Sequence, residues 1–360
     1  MRTTLSKFLF TVTLLPVFAL VSNVGFAKSE EEGKFFGAKM TEYPDWFKES
    51  FLNIPEDIEE AKENNKRLVI FFYQNGCPYC NALVERNLAQ KDIAEKVKKH
   101  FDIVAINMWG DREITYVNGK HYKEKSLAEA LKVQFTPTLL FYDENGKIIL
   151  RVNGYRSPTK FNVDLDYVAL RKENELKYRE YVKANLPATK ASKNLHNQDF
   201  FMAAPYDLTI DKNNKTPMAV FFEQKDCPDC DALHSKVLPD KELRGILGNF
   251  KVAQLDMWSK TPVVTPEGKK TTAREWAKKL DVKFAPSIVV FNEKGEEIIR
   301  TEGSFKVFHT QGILDYVLSG GYKKQPSFQR YLTERADHIR EQGRDVDIWN
   351  YAGEKPGERK

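Results

Sequence analysis

Cysteine is nearly absent from this chain of 360 residues. Four are present, and none lies outside two short pairs, Cys77/Cys80 and Cys227/Cys230. Long apolar runs are lacking too: the stretch from Phe8 to Val21 is broken by Thr11, Thr13 and Pro16. It falls below the roughly 20 apolar residues that a membrane-spanning helix needs. No clustered basic stripe exists either, although the formal charge is +5. Lysines alternate with glutamates instead, as in "EDIEEAKENNK", the look of solvated helix faces, and nothing points to nucleic acid. The apolar fraction of 41% can bury sizeable cores, and the length suits two domains of about 150 residues.

The N-terminus carries its own pattern. Arg2 and Lys7 precede the apolar run, and small residues follow at Gly25 and Ala27. This predicts a secretory signal over residues 1–27, cut after Ala27. No cysteine follows the cut, so a lipid anchor at that site is excluded. An exported chain meets an oxidising compartment, where cysteines commonly become structural staples. Here none is available for stapling outside the two short pairs, so the sulfur is reserved for chemistry.

The two pairs belong to a duplication. "FFYQNGCPYCNAL" at 71–83 is answered by "FFEQKDCPDCDAL" at 221–233. The likeness extends over 101–155 and 250–305, where both copies have a strand ending in Met-Trp, a polar turn and a Val-Xaa-Phe-Xaa-Pro segment. From second cysteine to that proline is 57 residues in one copy (Cys80 to Pro137) and 56 in the other (Cys230 to Pro286). In each, "RLVIFFY" or its counterpart reads as a buried strand, and a helix begins within the cysteine motif. "FDIVAINM" reads as a second strand, and "SLAEALKV" as a helix capped by Ser126. "TLLFYDENGKIILRV" is a hairpin, followed by a helix near 159–172. Alternating strands and helices ending in a hairpin predict a mixed α/β layer structure. Domains are expected over 43–175 and 195–322, with a linker at 176–194. A C-terminal helix is expected at 326–345 and a disordered tail over 346–360.

Two cysteines three apart at a helix start lie on one face and can close or open a disulfide with little backbone movement. Unpaired N–H groups at such a start favour negative charge, which lowers the pKa of the first thiol. Cys77 and Cys227 are therefore candidate nucleophiles, and Cys80 and Cys230 candidate resolving thiols. Pro78 and Pro228 suit the first helical turn.

A strand, then "CPYC" opening a helix, then Thr136-Pro137 ahead of a hairpin resembles the thioredoxin superfamily, as does "CPDC" with Ala285-Pro286. More narrowly, "CPYCNAL" with "YVNGKHYKEKSLAEALKVQFTPTLLF" is similar to exported SoxW-type and DsbC-like thioredoxins. The resemblance implies two tandem thioredoxin-like domains, each a central mixed sheet flanked by helices. It implies cis bonds before Pro137 and Pro286, which with Thr136 and Ala285 position the substrate. It also implies a disulfide oxidoreductase of the bacterial periplasm, reduction being the favoured direction. Expected partners are protein thiols and disulfides, a membrane thiol reductant as electron source, and sulfur-oxidation or cytochrome c maturation proteins. No organic cofactor is implied. Neither copy has "WCGPC", and the acid that related reductases bury six residues before the first cysteine is replaced by Phe71 and Phe221.

The copies differ in charge. Cys77 has uncharged neighbours, whereas Cys227 has Glu223, Asp226 and Asp229, partly offset by Lys225. Negative neighbours disfavour a thiolate, so the second pair is expected to be the more reducing and to pass electrons to the first. A four-cysteine zinc site is the rival reading, but zinc ribbons keep their halves roughly 15–20 residues apart and here each half starts its own domain. His234 aligns with Val84 and is expected to be a surface or packing histidine. Trp109 and Trp258 are expected to pack at the core or rim, and Tyr79 to lie exposed where a partner could meet it. A binding module or chaperone with permanently oxidised pairs is the non-enzymatic alternative.

Overall fold

A computed structural model of the chain describes residues 31–210 and 216–355; the expected signal segment lies outside them. The first half is built on a four-stranded sheet in the order Phe101–Asn107, Arg67–Tyr73, Thr138–Tyr142, Ile148–Asn153. The first two strands run parallel and the remaining neighbours antiparallel. The second half repeats the order with Lys251–Asp256, Met218–Glu223, Ser287–Phe291 and Glu297–Glu302. The central strands are apolar on both faces because helices cover both sides of each sheet, and Leu68 to Phe72 and Met218 to Phe222 are all buried. The hairpins turn at Gly146 and Gly295, both with positive φ (79° and 78°), a conformation glycine adopts without a Cβ clash.

Most elements lie where the periodicity predicts them. The helix after the first hairpin spans Pro158–Ala169 and its counterpart Val307–Leu318. Ser126 is not a cap. The helix Glu124–Ala130 starts from Lys123, and the Ser126 hydroxyl instead bonds back to the Lys123 N–H and carbonyl. The expected linker contains a helix, Tyr178–Asn185, whose buried residues Tyr178, Arg179 and Tyr181 crowd one end and leave no repeating apolar stripe. Its counterpart in the second half is the helix Phe328–Glu341. The tail expected to be disordered from 346 is ordered through 355. Val346 and Asp347 pair with Phe35 and Phe36, and apolar Val346 and Ile348 are buried. A third cis bond, Ala204–Pro205, accompanies the expected ones at Pro137 and Pro286.

The halves pack against one another with matched contacts around the two proline loops. Phe135, two residues before Pro137, meets Phe305 and Phe328 of the second half at 5.2 and 5.4 Å between ring centroids. Phe284, two before Pro286, meets the Arg156 guanidinium at 4.0 Å and the Tyr178 ring at 5.4 Å. Between the outer strands, the Asn153 amide donates to Glu302 Oε2 at 2.9 Å. The helix after each hairpin, and the helix trailing it, therefore lie over the proline loop of the opposite half.

Candidate active sites at the two helix starts

Each cysteine pair opens a helix, Pro78–Ala82 or Pro228–Ala232, that runs on through a π-helical turn. Both pairs are disulfide-bonded, with Cα atoms 5.3 and 5.2 Å apart. Proline at the first helical position costs no hydrogen bond, because that N–H would be unpaired anyway. The first sulfur acts as helix cap in both halves. Cys80 N–H donates to Cys77 Sγ at 3.0 Å, and Cys230 N–H to Cys227 Sγ at 3.1 Å. All four sulfurs are shielded: Cys77 is 3% exposed, Cys80 0%, Cys227 4% and Cys230 2%.

The proline loop completes the first site. Thr136 Oγ1 donates to Cys77 Sγ at 3.4 Å, and the Thr136 carbonyl oxygen lies 3.5 Å from the same sulfur. In the second site Ala285 lines the cleft beside Cys227 and brings no hydroxyl. Phe71 and Phe221 are buried, so the position six residues before each first cysteine holds an aromatic ring in place of a carboxylate.

Coverage differs between the sites. Tyr79 is buried, contrary to the exposed position its place in the motif suggests. Its hydroxyl accepts the Lys306 N–H at 3.1 Å, and its ring packs edge-on against His309 and Trp349 at 5.2 and 5.0 Å. The opposite half supplies that cover, which no local pattern announces. Burial pushes the Tyr79 phenol well up and pulls the His309 imidazole down to about 4. The equivalent of Tyr79 is Asp229, and the equivalent of His309, counted from Gly154 and Gly303, is Lys160. These two form an ion pair at 2.5 Å, while burial lowers the Lys160 pKa. Pro228 remains exposed where Pro78 is buried.

The negative field expected around Cys227 does not survive folding. Asp229 is answered by Lys160 and Asp226 by Lys193, while Glu223 is drawn into a hydrogen bond with His234 at 3.0 Å. Glu223 is fully buried and His234 is 6% exposed, so this histidine belongs to a buried pair away from the surface. Both members replace apolar or aromatic residues of the first copy, Tyr73 and Val84, which was the available signal. Trp109 and Trp258 are half-buried on the rims, their indole N–H groups donating to Gln74 and Gln224 at 2.8 Å.

A cleft between the halves fronts each disulfide. The one at Cys77 encloses about 450 Å³ and the one at Cys227 about 570 Å³. Residues 54–169 and 206–318 both match the thioredoxin-like domain family. The chain belongs to that family. The chain is also similar to the thiol:disulfide interchange protein DsbD of Photorhabdus laumondii, at 26% identity over 123 residues. That match covers 32% of this chain and only 19% of the DsbD protein. Among solved structures, a thioredoxin-fold protein from Helicobacter pylori is 25% identical, covers 38% of this chain and 91% of its own, and has a TM-score of 0.30. A thioredoxin from Thermus thermophilus is 17% identical over 39% of this chain and 89% of its own, at a TM-score of 0.27. The thioredoxin-like pair thus carries two CxxC disulfides, each at a helix start, which is the equipment of thiol–disulfide exchange. No helix among the described residues is long and apolar enough to cross a membrane.

Proposed function

We propose that this chain is an exported thiol–disulfide oxidoreductase of the bacterial periplasm with two active sites, acting mainly as a reductase of protein disulfides. The carrying observation is the capping geometry: in both halves the first sulfur accepts the N–H of the second cysteine at a helix start. Such donors stabilise a thiolate once the disulfide opens. Cys77 and Cys227 are then the nucleophiles. A thiolate attacks one sulfur of the partner disulfide, and that bond breaks as a mixed disulfide forms. Cys80 or Cys230 next attacks the mixed disulfide, releasing the reduced partner and restoring the pair. Thr136-Pro137 and Ala285-Pro286 position the partner. Electrons come from a membrane thiol reductant, and sulfur-oxidation or cytochrome c maturation proteins are the class of recipient.

The reading includes a relay from the second pair to the first. Thr136 supports it, since its hydroxyl stands ready for a Cys77 thiolate and Ala285 offers nothing equivalent to Cys227. A better-stabilised thiolate makes the first pair the more oxidising. Reduction of insulin by dithiothreitol tests the activity, with Cys77→Ser and Cys227→Ser each expected to remove one site's contribution. Cys80→Ser and Cys230→Ser are expected to stall mixed disulfides whose partners mass spectrometry identifies. A wild-type chain that is inactive and carries unreactive thiols would leave a binding module in its place.

A further inference from the structure

The two clefts are built alike but charged differently. Around Cys77 the charged lining consists of Asp337 and Arg340, which pair with each other at 3.2 Å, with His309 beside them. Around Cys227 seven basic side chains face three acidic ones. Four of the seven are neutralised: Arg156 by Asp164, Lys160 by Asp229, Lys193 by Asp226 and Lys283 by Asp281. Arg179, Lys183 and Lys225 have no carboxylate at ion-pair distance among the described residues. Arg179 and Lys183 are the notable two. They sit one turn apart on the helix Tyr178–Asn185, and both lie over the Trp258 ring, at 4.1 and 4.2 Å. Like charges at that spacing repel. Arg179 is only 7% exposed and gives one N–H to the Met257 carbonyl, leaving Nε and Nη1 without a partner. Glu180, Glu275 and Asp256 act on it only at longer range, and burial leads in lowering its pKa. On the matching helix of the other half the equivalent position is Gln329, a neutral side chain bonded to Gln74 and Gln134. Trp109 has a cation over it as well, Arg330 at 5.1 Å, but Arg330 does not line the Cys77 cleft.

An uncompensated cationic pair on the wall of a cleft of about 570 Å³, facing a disulfide, calls for a small anion bearing sulfur. Resting on the oxidoreductase reading above, we propose that the Cys227 cleft takes a low-molecular-weight thiol that carries carboxylate or sulfonate groups, and its disulfide. Arg179 and Lys183 hold the anionic group, and the Cys77 cleft makes no such selection. With Cys227 at 4% exposure, a small molecule reaches the sulfur inside the closed cleft, whereas the face of a folded protein reaches it only when the halves part. The exchange balances without a further reductant. One thiolate attacks Cys227 Sγ, the Cys227–Cys230 bond breaks, and Cys230 leaves as a thiolate that takes a proton from water. A second thiolate attacks the small-molecule sulfur of the mixed disulfide and releases Cys227. Two thiols become one disulfide, and two electrons enter the protein.

The test uses the oxidised full chain and two probes, glutathione and its diethyl ester, which lacks both carboxylates. Rates at the two sites are read separately by quenched alkylation and mass spectrometry of the two cysteine peptides. The glutathione-to-ester rate ratio is expected to be about tenfold higher at Cys227 than at Cys77, and to shrink between low salt and about 0.5 M salt as screening sets in. Arg179→Gln with Lys183→Gln is expected to bring the Cys227 ratio down to that of Cys77, while the Cys77 ratio stays unchanged. Equal ratios at the two sites in the wild-type chain, or a ratio indifferent to salt, would overturn the proposal without any variant having to fold. Preference at Cys227 for an acidic cysteine peptide over glutathione would also overturn it, in favour of a peptide segment. Dithiothreitol separates the two levels: if it reduces both pairs while the ratios are equal, only this inference fails, and if it reduces neither, the oxidoreductase reading falls with it.

Discussion

One hydroxyl separates the two sulfur environments most sharply. Thr136 Oγ1 lies 3.4 Å from Cys77 Sγ, and Ala285 takes that place at Cys227. Thr136→Ala is expected to lower the reduction potential of the first pair by about 30 mV, the equivalent of about 1.4 kcal/mol. Ala285→Thr is expected to raise the second by a similar amount; glutathione redox titration of each pair measures both. The charge contrast legible in the sequence pointed to the same ordering for a different reason, and Lys160 and Lys193 remove most of that reason by pairing with Asp229 and Asp226. Both partners lie far along the chain from the acids they meet, so a reading of neighbours along the sequence had no means of finding them. His309 gives a second residue-scale prediction. Its imidazole stays neutral down to about pH 4 in the folded chain, whereas an unfolded histidine takes a proton near pH 6.5. Between these values the unfolded state binds more protons, so stability is fully present above about 6.5 and is lost as pH falls towards 4. His309→Gln is expected to flatten the wild-type slope in that window, as urea denaturation across the pH series would measure. An unchanged slope would assign the acid sensitivity elsewhere.

At the level of elements, the strands, the hairpins and the cysteine helices were readable, because apolar alternation and turn glycines are local properties. The helices trailing each half were not equally readable. Phe328–Glu341 shows its stripe through Phe328, Leu332, Ala336 and Ile339, while Tyr178–Asn185 is short and buries one end only. Periodicity also tells which face is buried but never what covers it. Phe328 is fully buried against Phe135 and Tyr316, at 5.4 and 5.3 Å. Phe328→Ala is expected to cost about 3 kcal/mol through the cavity it leaves, seen as a lower thermal midpoint. Because the same helix lines the Cys77 cleft, alkylation of the reduced variant is expected to speed up at Cys77 and stay at the wild-type rate at Cys227. Equal acceleration at both sites would show that the two clefts loosen together instead.

Across the whole molecule, access to sulfur depends on how the halves sit together. Cys77 and Cys227 are 3% and 4% exposed, and the cover over each comes largely from the other half. In the reduced chain, alkylation at Cys77 is expected to rise steeply with urea well below the global unfolding midpoint, as a partial opening exposes it. A rate that stays flat until the chain unfolds would mean that the reagent enters through the closed cleft. The matched contacts around Phe135 and Phe284 carry a last consequence. Because each half is the lid of the other, a partner that levers the halves apart unlatches both clefts at once, while loosening a single helix frees only the cleft it lines. The two active sites share a single door.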